Sequence, residues 1–211
     1  MKLDRTRIFD IARLIVVVAL SMYLLSLVPM LPADTYVVHK KNPEIISYHP
    51  SPDRIKDMFY SSVFDYGSGH IIDNQKLRVG GWGDEYWTLI QFDLSGLPKH
   101  ADEVTLFLTL YDEEGTSTGM DISAITTPWD ETHGWYINLG SESLTSVDAP
   151  PRSGFFSLDI TDLYNRWQSG EQKNYGLVFK PTGTDHQFNT FRSSEYSGDR
   201  FATPFLNIKV K

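Results

Sequence analysis

At 211 residues with no internal repeat, the chain has room for one domain and a leader. It holds no cysteine, which excludes disulfides, a thiolate metal site, a cysteine nucleophile and a lipid-modified cysteine behind the leader. Its formal net charge of −8 repels nucleic acid and anionic membrane surfaces.

The chain opens with Lys2, Arg5, Arg7 and Arg13, followed by an uncharged, strongly apolar run over residues 14–33. A run of that length spans a bilayer. It also fits a secretory signal with Pro32-Ala33 at the cleavage end. The basic flank places the N-terminus inside and the rest outside. Residues 1–33 are therefore expected to be a signal peptide or a membrane anchor. Residues 34–211 are expected to be an extracellular or cell-surface domain, touching the membrane only through the N-terminal segment. Without residues 1–33 the chain keeps 15 basic and 25 acidic side chains, a charge near −10. That argues against a polyanionic glycan as ligand unless Arg and Lys cluster locally.

Residues 34–38 (DTYVV) read as a first strand. Residues 39–66 hold Pro43, Pro50 and Pro52 and read as an inserted loop. From residue 85 to 94 apolar side chains alternate: Thr88, Ile90, Phe92 and Leu94 on one face, Trp87, Leu89 and Gln91 on the other. Val104, Leu106, Leu108 and Leu110 repeat the pattern, and residues 120–126 form another candidate strand. Phe156, Leu158 and Ile160 alternate with Ser157 and Asp159. Thr161 is placed as the cap of a short helix, with Asp162 near its positive end. Leu163 and Trp167 share one face of that helix, and Gly170 stops it. A strand follows over 175–180, and Leu206, Ile208 and Val210 mark the last. Gly and Pro punctuate the gaps. Many short strands around one helix indicate an all-β sandwich or barrel, with Trp167 plugging one end.

The run DITDLYNRWQSGEQKNYGLVFK over 159–180 resembles the signature of DNRLRE-type domains, grouped with carbohydrate-binding module family 96. LRVG at 77–80 with TLIQFDLSGLP at 88–98, PWDETHGW at 128–135 and FRSSEYSGDRFATPFLNIKV at 191–210 fit the same resemblance in order. It implies a jelly-roll-like antiparallel β-sandwich. It also makes Arg192 a motif residue that ties loops together or meets a ligand.

No G-x-S-x-G elbow occurs, and no two of the six histidines are three or four apart. Asp112, Glu113 and Glu114 are adjacent in a turn and read as a solvated loop rather than a glycosidase pair. The chain is expected not to be an enzyme. Aromatics are the better lead, because the apolar C–H face of a sugar ring lies well on a flat aromatic. GGWGDEYWT presents Trp82, Tyr86 and Trp87, and PWDETHGWY presents Trp129, Trp135 and Tyr136. Trp82, between two glycines, is the least core-like, whereas Trp129 and Trp135 also read as seals of the sandwich edge. The candidate carbohydrate ligands are Trp82, Tyr86, Trp87, Trp135 and Arg192. A structural calcium is expected from carboxylates near strand ends, with Asp73, Asp84, Asp159 and Asp199 as candidates.

The first expectation is an exported, non-catalytic module that binds polysaccharide. The alternatives are a structural or adhesive domain of the cell envelope and a small polysaccharide-degrading enzyme.

Overall fold

The computed structural model describes residues 35–39 as backbone, and 43–61, 75–111, 115–131 and 139–211 in full. The apolar leader, Asp73, residues 112–114 and Trp135 lie outside these residues. In chain order the strands are β1 Thr35–His39, β2 Glu44–Tyr48, β3 Ile55–Ser61, β4 Lys76–Gly81, β5 Tyr86–Phe92, β6 Glu103–Leu110, β7 Met120–Ile125, β8 Ser141–Val147, β9 Gly154–Asp159, β10 Leu177–Pro181, β11 Gln187–Arg192 and β12 Phe205–Val210. Among the described residues one α-helix, α1, spans Thr161–Ser169.

All pairings between these strands are antiparallel. The first layer runs β1-β2-β12-β6-β9 and the second β3-β5-β10-β7-β8. The β4–β11 ribbon joins them: Gly80 pairs with Tyr86 on β5, and Phe191 with Leu110 on β6. The result is one curled sheet folded over on itself as a sandwich, with β1 and β8 at its open ends, which the alternating apolar strands foretell.

Inward residues of both layers make one core. Val104, Leu106, Leu108, Leu158, Leu206 and Ile208 of the first layer share it with Ile90, Phe92, Ile122, Leu177 and Phe179 of the second. Each such side chain stabilises by about 1.5–3 kcal/mol on burial. Helix α1 closes one end, burying Leu163, Tyr164 and Trp167. Tyr164 donates to the Pro98 carbonyl at 2.6 Å, and Asn165 brackets Ala101 by accepting from its N–H and donating to its carbonyl, each at 3.0 Å. Gly170 ends the helix in the left-handed region, as expected. The N-cap falls on Ile160, one residue before the expected Thr161, and makes no side-chain cap bond. Asp159 Oδ1 accepts from the Thr161 N–H and hydroxyl, while Thr161 Oγ1 accepts from Val104 N–H. Thr161 thus bridges helix and sheet rather than capping.

The inserted loop expected over 39–66 is corrected. Two strands of the sandwich, β2 and β3, lie there, and the prolines fall between or before them. β3 pairs with β5 over seven residues. Asp57 sits in its inward series between Ile55 and Phe59 and breaks the apolar pattern. In β2, adjacent Ile45 and Ile46 hide the alternation, although only Ile46 packs on the core. Strand β8 also escapes the sequence, because its SESLTSV face is almost wholly exposed.

Candidate functional site

The turn from β4 to β5 carries Trp82, whose side chain is 60% exposed. The turn is held rather than loose. Trp82 N–H donates to Asp84 Oδ1 at 3.0 Å, and the Ser61 hydroxyl donates to Asp84 Oδ2 at 3.0 Å. Gly83, at φ 95°, takes a backbone shape that L side chains avoid and donates to the Thr184 carbonyl at 2.8 Å. The indole rests on Phe188 of β11, with ring centroids 4.6 Å apart and planes at 61°. Phe188 in turn meets Tyr86 at 5.4 Å.

Tyr86 was expected at the surface and is instead 3% exposed. It supports the platform from below and presents no face to a ligand. Trp87 points to the other side of β5, as alternation requires. It is half-buried against Tyr60, its Nε1–H donates to Glu85 Oε2 at 2.8 Å, and the Lys180 ammonium lies 3.9 Å from its ring centroid. The structure therefore separates Trp82 from Trp87. Trp129 is buried and donates through Nε1 to the Tyr175 carbonyl at 2.7 Å, so it seals the second layer.

Arg192 lies four residues beyond Phe188 on β11, on the same side of the strand. Its guanidinium stacks at 3.9 Å on Tyr196 and 5.3 Å on Tyr111, and Lys76 Nζ approaches Tyr111 at 4.4 Å. Nε and Nη1 of Arg192 are buried and have no hydrogen-bond partner among the described residues. Arg78 stands opposite Thr190, and Lys76 opposite Arg192, in the ribbon register. The outward face of the ribbon thus carries Trp82 and Phe188 at one end and a cationic, aromatic cluster at the other. The local grouping of Lys76, Arg78 and Arg192 runs against the negative charge of the whole chain. Phe188, Tyr111 and Tyr196 were missed in the sequence. Outward Phe188 lies three residues from inward Phe191, so no period-2 pattern announces it.

Among the described residues, the carboxylates expected to hold calcium, Asp84, Asp159 and Asp199, form no common group. Asp84 fixes the Trp82 turn, and Asp159 accepts from Thr161, the first residue of α1. Asp199 accepts from Phe201 N–H at 2.9 Å. Bonds to Thr161 hold the Asp159 carboxyl below its ordinary value. A different group comes together: Asp57, Glu131 and Glu195 bring carboxylate oxygens within 4.8 Å of one another. Asp57 accepts from Ser194 N–H at 2.7 Å and Ser194 Oγ at 3.0 Å, and its own N–H donates to Glu131 Oε1 at 2.8 Å. Burial pushes the Asp57 carboxyl well above the usual carboxylate range, and the Glu195 charge adds to the rise. Burial also raises Glu131, against the bond from the Asp57 N–H. Such a group could hold a divalent cation or a proton. Sequence reasoning missed it because the three residues lie far apart in the chain.

The sequence profile of carbohydrate-binding module family 96 matches residues 66–207, which covers the ribbon, α1 and Arg192. No curated protein matches the sequence.

Proposed function

The chain belongs to carbohydrate-binding module family 96, and from that premise we propose that it is an exported, non-catalytic module that binds polysaccharide on the outward face of the β4–β11 ribbon. The observation that carries the reading is Trp82, large, 60% exposed and fixed in place by its own turn. A sugar ring stacks on the indole, and its hydroxyls meet the polar turn around it. Arg192, about 13 Å along the strand at 3.3 Å per residue, reaches a hydroxyl or a carboxylate further down the same glycan. The guanidinium is stacked in advance, so little side-chain freedom is lost on binding.

The placement of acids supports a binding rather than a hydrolytic role. Asp57 is buried, and its carboxylate accepts from Ser194 N–H and Oγ. A structural calcium belongs to the same proposal, with Asp57, Glu131 and Glu195 as its holders. It predicts that calcium raises the melting temperature of the native chain and leaves Glu131→Gln unchanged.

The test is a glycan-array screen of the full-length chain in mild detergent, with and without calcium. Trp82→Ala is expected to weaken binding about tenfold. A folded chain that binds no glycan would sink the reading and favour a structural or adhesive domain of the cell envelope.

A further inference from the structure

The outer face of the first layer carries a second aromatic feature, remote in the sheet order from Trp82. Phe107 on β6 and Phe205 on β12 are direct cross-strand partners, stacked at 4.8 Å with planes 8° apart. His49, just past β2, continues the stack at 4.4 Å from Phe205. The spacing is that of neighbouring strands, about 4.8 Å, so these rings stand upright in a row across the sheet. Phe155 on β9 closes one end. It is turned perpendicular to Phe107 and Phe205, at 88° and 90°, and is 55% exposed.

A second row runs beside the first, two residues further along each strand. Thr105 is opposite Asn207, and Asn207 is opposite Ser47. On β9 the residue opposite Thr105 is Asp159, whose carboxylate is engaged by Thr161, while Ser157 stands in the first row opposite Phe107. Apart from Asp159, these side chains are hydroxyls and an amide. Asn207 Oδ1 and, nearby on β6, Thr109 Oγ1 are buried and have no hydrogen-bond partner among the described residues. An apolar partner lying across this row would cover the half-buried Thr105 hydroxyl and Asn207 amide without offering them a hydrogen bond, which costs free energy. A ligand with an apolar face and a hydroxyl-bearing edge meets both rows.

We infer that the outer face of β9-β6-β12-β2 is a second polysaccharide-binding surface, on which an uncharged stretch of glycan lies across the strands. The sugar rings contact Phe155 and the upright edges of Phe107 and Phe205, and the hydroxyls meet Asn207 and Thr105 once the amide turns toward them. This rests on the reading of the module as a polysaccharide binder. It differs in site and in ligand charge, since the ribbon face carries Lys76, Arg78 and Arg192. Two such faces let one module bridge two chains, or two segments of one, so that avidity exceeds either single affinity.

The test is affinity electrophoresis of the full-length chain in mild detergent. The probes are galactomannan and mixed-linkage β-glucan as neutral polymers and polygalacturonate as an acidic one. The paired variant Phe155→Ala/Asn207→Ala is compared with Trp82→Ala, and Phe155→Tyr serves as rescue. The expected result is about tenfold weaker retention by a neutral polymer in the paired variant, near-native retention in Phe155→Tyr, and unchanged retention by any polymer that Trp82→Ala releases. Neutral retention that survives the paired variant and falls only with Trp82→Ala overturns the inference and leaves the ribbon reading intact. Loss in the paired variant alone supports the inference and removes Trp82 from the site. No retention of the native chain by any polymer overturns both. A paired variant that alters only the oligomeric state, read by light scattering, makes this face a contact between copies and overturns the inference.

Discussion

On the outer face of the second layer, Trp129 and Tyr175 cover Tyr60, Leu89, Ile125 and Val178, and a small second core forms there. On the outer face of the first layer, Phe155, Phe107 and Phe205 pack on one another and nothing described lies over Phe155. Both faces arise from the same period-2 alternation and both carry aromatics. The difference is supplied by connections. Residues 126–131, after β7, fold back over the second layer, anchored by the bond from Trp129 Nε1 to Tyr175 O and by Lys56 Nζ, which donates to the Trp129 carbonyl at 2.9 Å. An aromatic on a sheet face becomes core or surface according to which loop returns to it, and strand patterning does not encode that.

The covered face should be the costly one to break. Trp129→Ala removes a buried indole, its bond to Tyr175 and the cation–π contact with Lys56, whose Nζ lies 4.7 Å from the ring centroid. The expected loss is about 3–5 kcal/mol of unfolding free energy in urea titration. A loss below about 1 kcal/mol, the scale of an exposed site, would mean that the second core contributes nothing and that the two faces are alike.

A smaller effect should follow from the backbone that sets the cover in place. Gly176, at φ 83°, links Tyr175 to β10, accepts from Ile125 N–H at 2.9 Å, and leaves no room for a Cβ, which would lie 2.1 Å from the Ile90 carbonyl oxygen. Gly176→Ala should cost about 1–3 kcal/mol through the strained φ alone, and more if the strand must shift. Gly170→Ala, at φ 79° with open space around its Cβ position, is the control that isolates the clash.

These elements were unequally legible. The helix was readable because Leu163, Trp167 and Gly170 obey local spacing, and the last strand because Leu206 and Ile208 alternate cleanly. β3 was not, since Asp57 occupies an inward position for the sake of Ser194, 137 residues away. Trp82 was readable from its flanking glycines. Tyr86 was not, because its burial depends on Phe188 across the ribbon. The row on the first layer draws single rings from β9, β6 and β12 and from the end of β2. No local window of sequence contains two of those that stack.

The open face should also respond to acid. Burial holds the His49 imidazole below its ordinary value of 6.5, and the Arg200 charge lowers it further against Asp199. The folded state therefore binds this proton less readily than the unfolded chain. The His49 contribution to stability is present above pH 6.5 and is lost as pH falls through the depressed folded value. Melting temperatures across that window should fall more steeply for the native chain than for His49→Phe, which keeps a ring against Phe205. Equal slopes would show that His49 is not charged at the expense of the row.

The smallest expected effect is the sharpest comparison. Phe155→Ala removes a ring as large as those in the second core, yet from a position 55% exposed. Its contacts to Phe107 and Phe205 are perpendicular, at 6.2 and 6.0 Å. Aromatic pairs of that kind contribute about 0.5–1.5 kcal/mol, and half-exposed area recovers less than full burial does. Stability should fall by about 1 kcal/mol or less, several-fold below the Trp129→Ala loss. Retention by a neutral glycan should nonetheless weaken measurably. A residue that matters little to folding and much to retention is held at the surface for contact with something outside the chain. If Phe155→Ala instead costs as much stability as Trp129→Ala and leaves retention unchanged, the first layer carries a core of its own, and the contrast between the two faces is one of exposure without a difference in role.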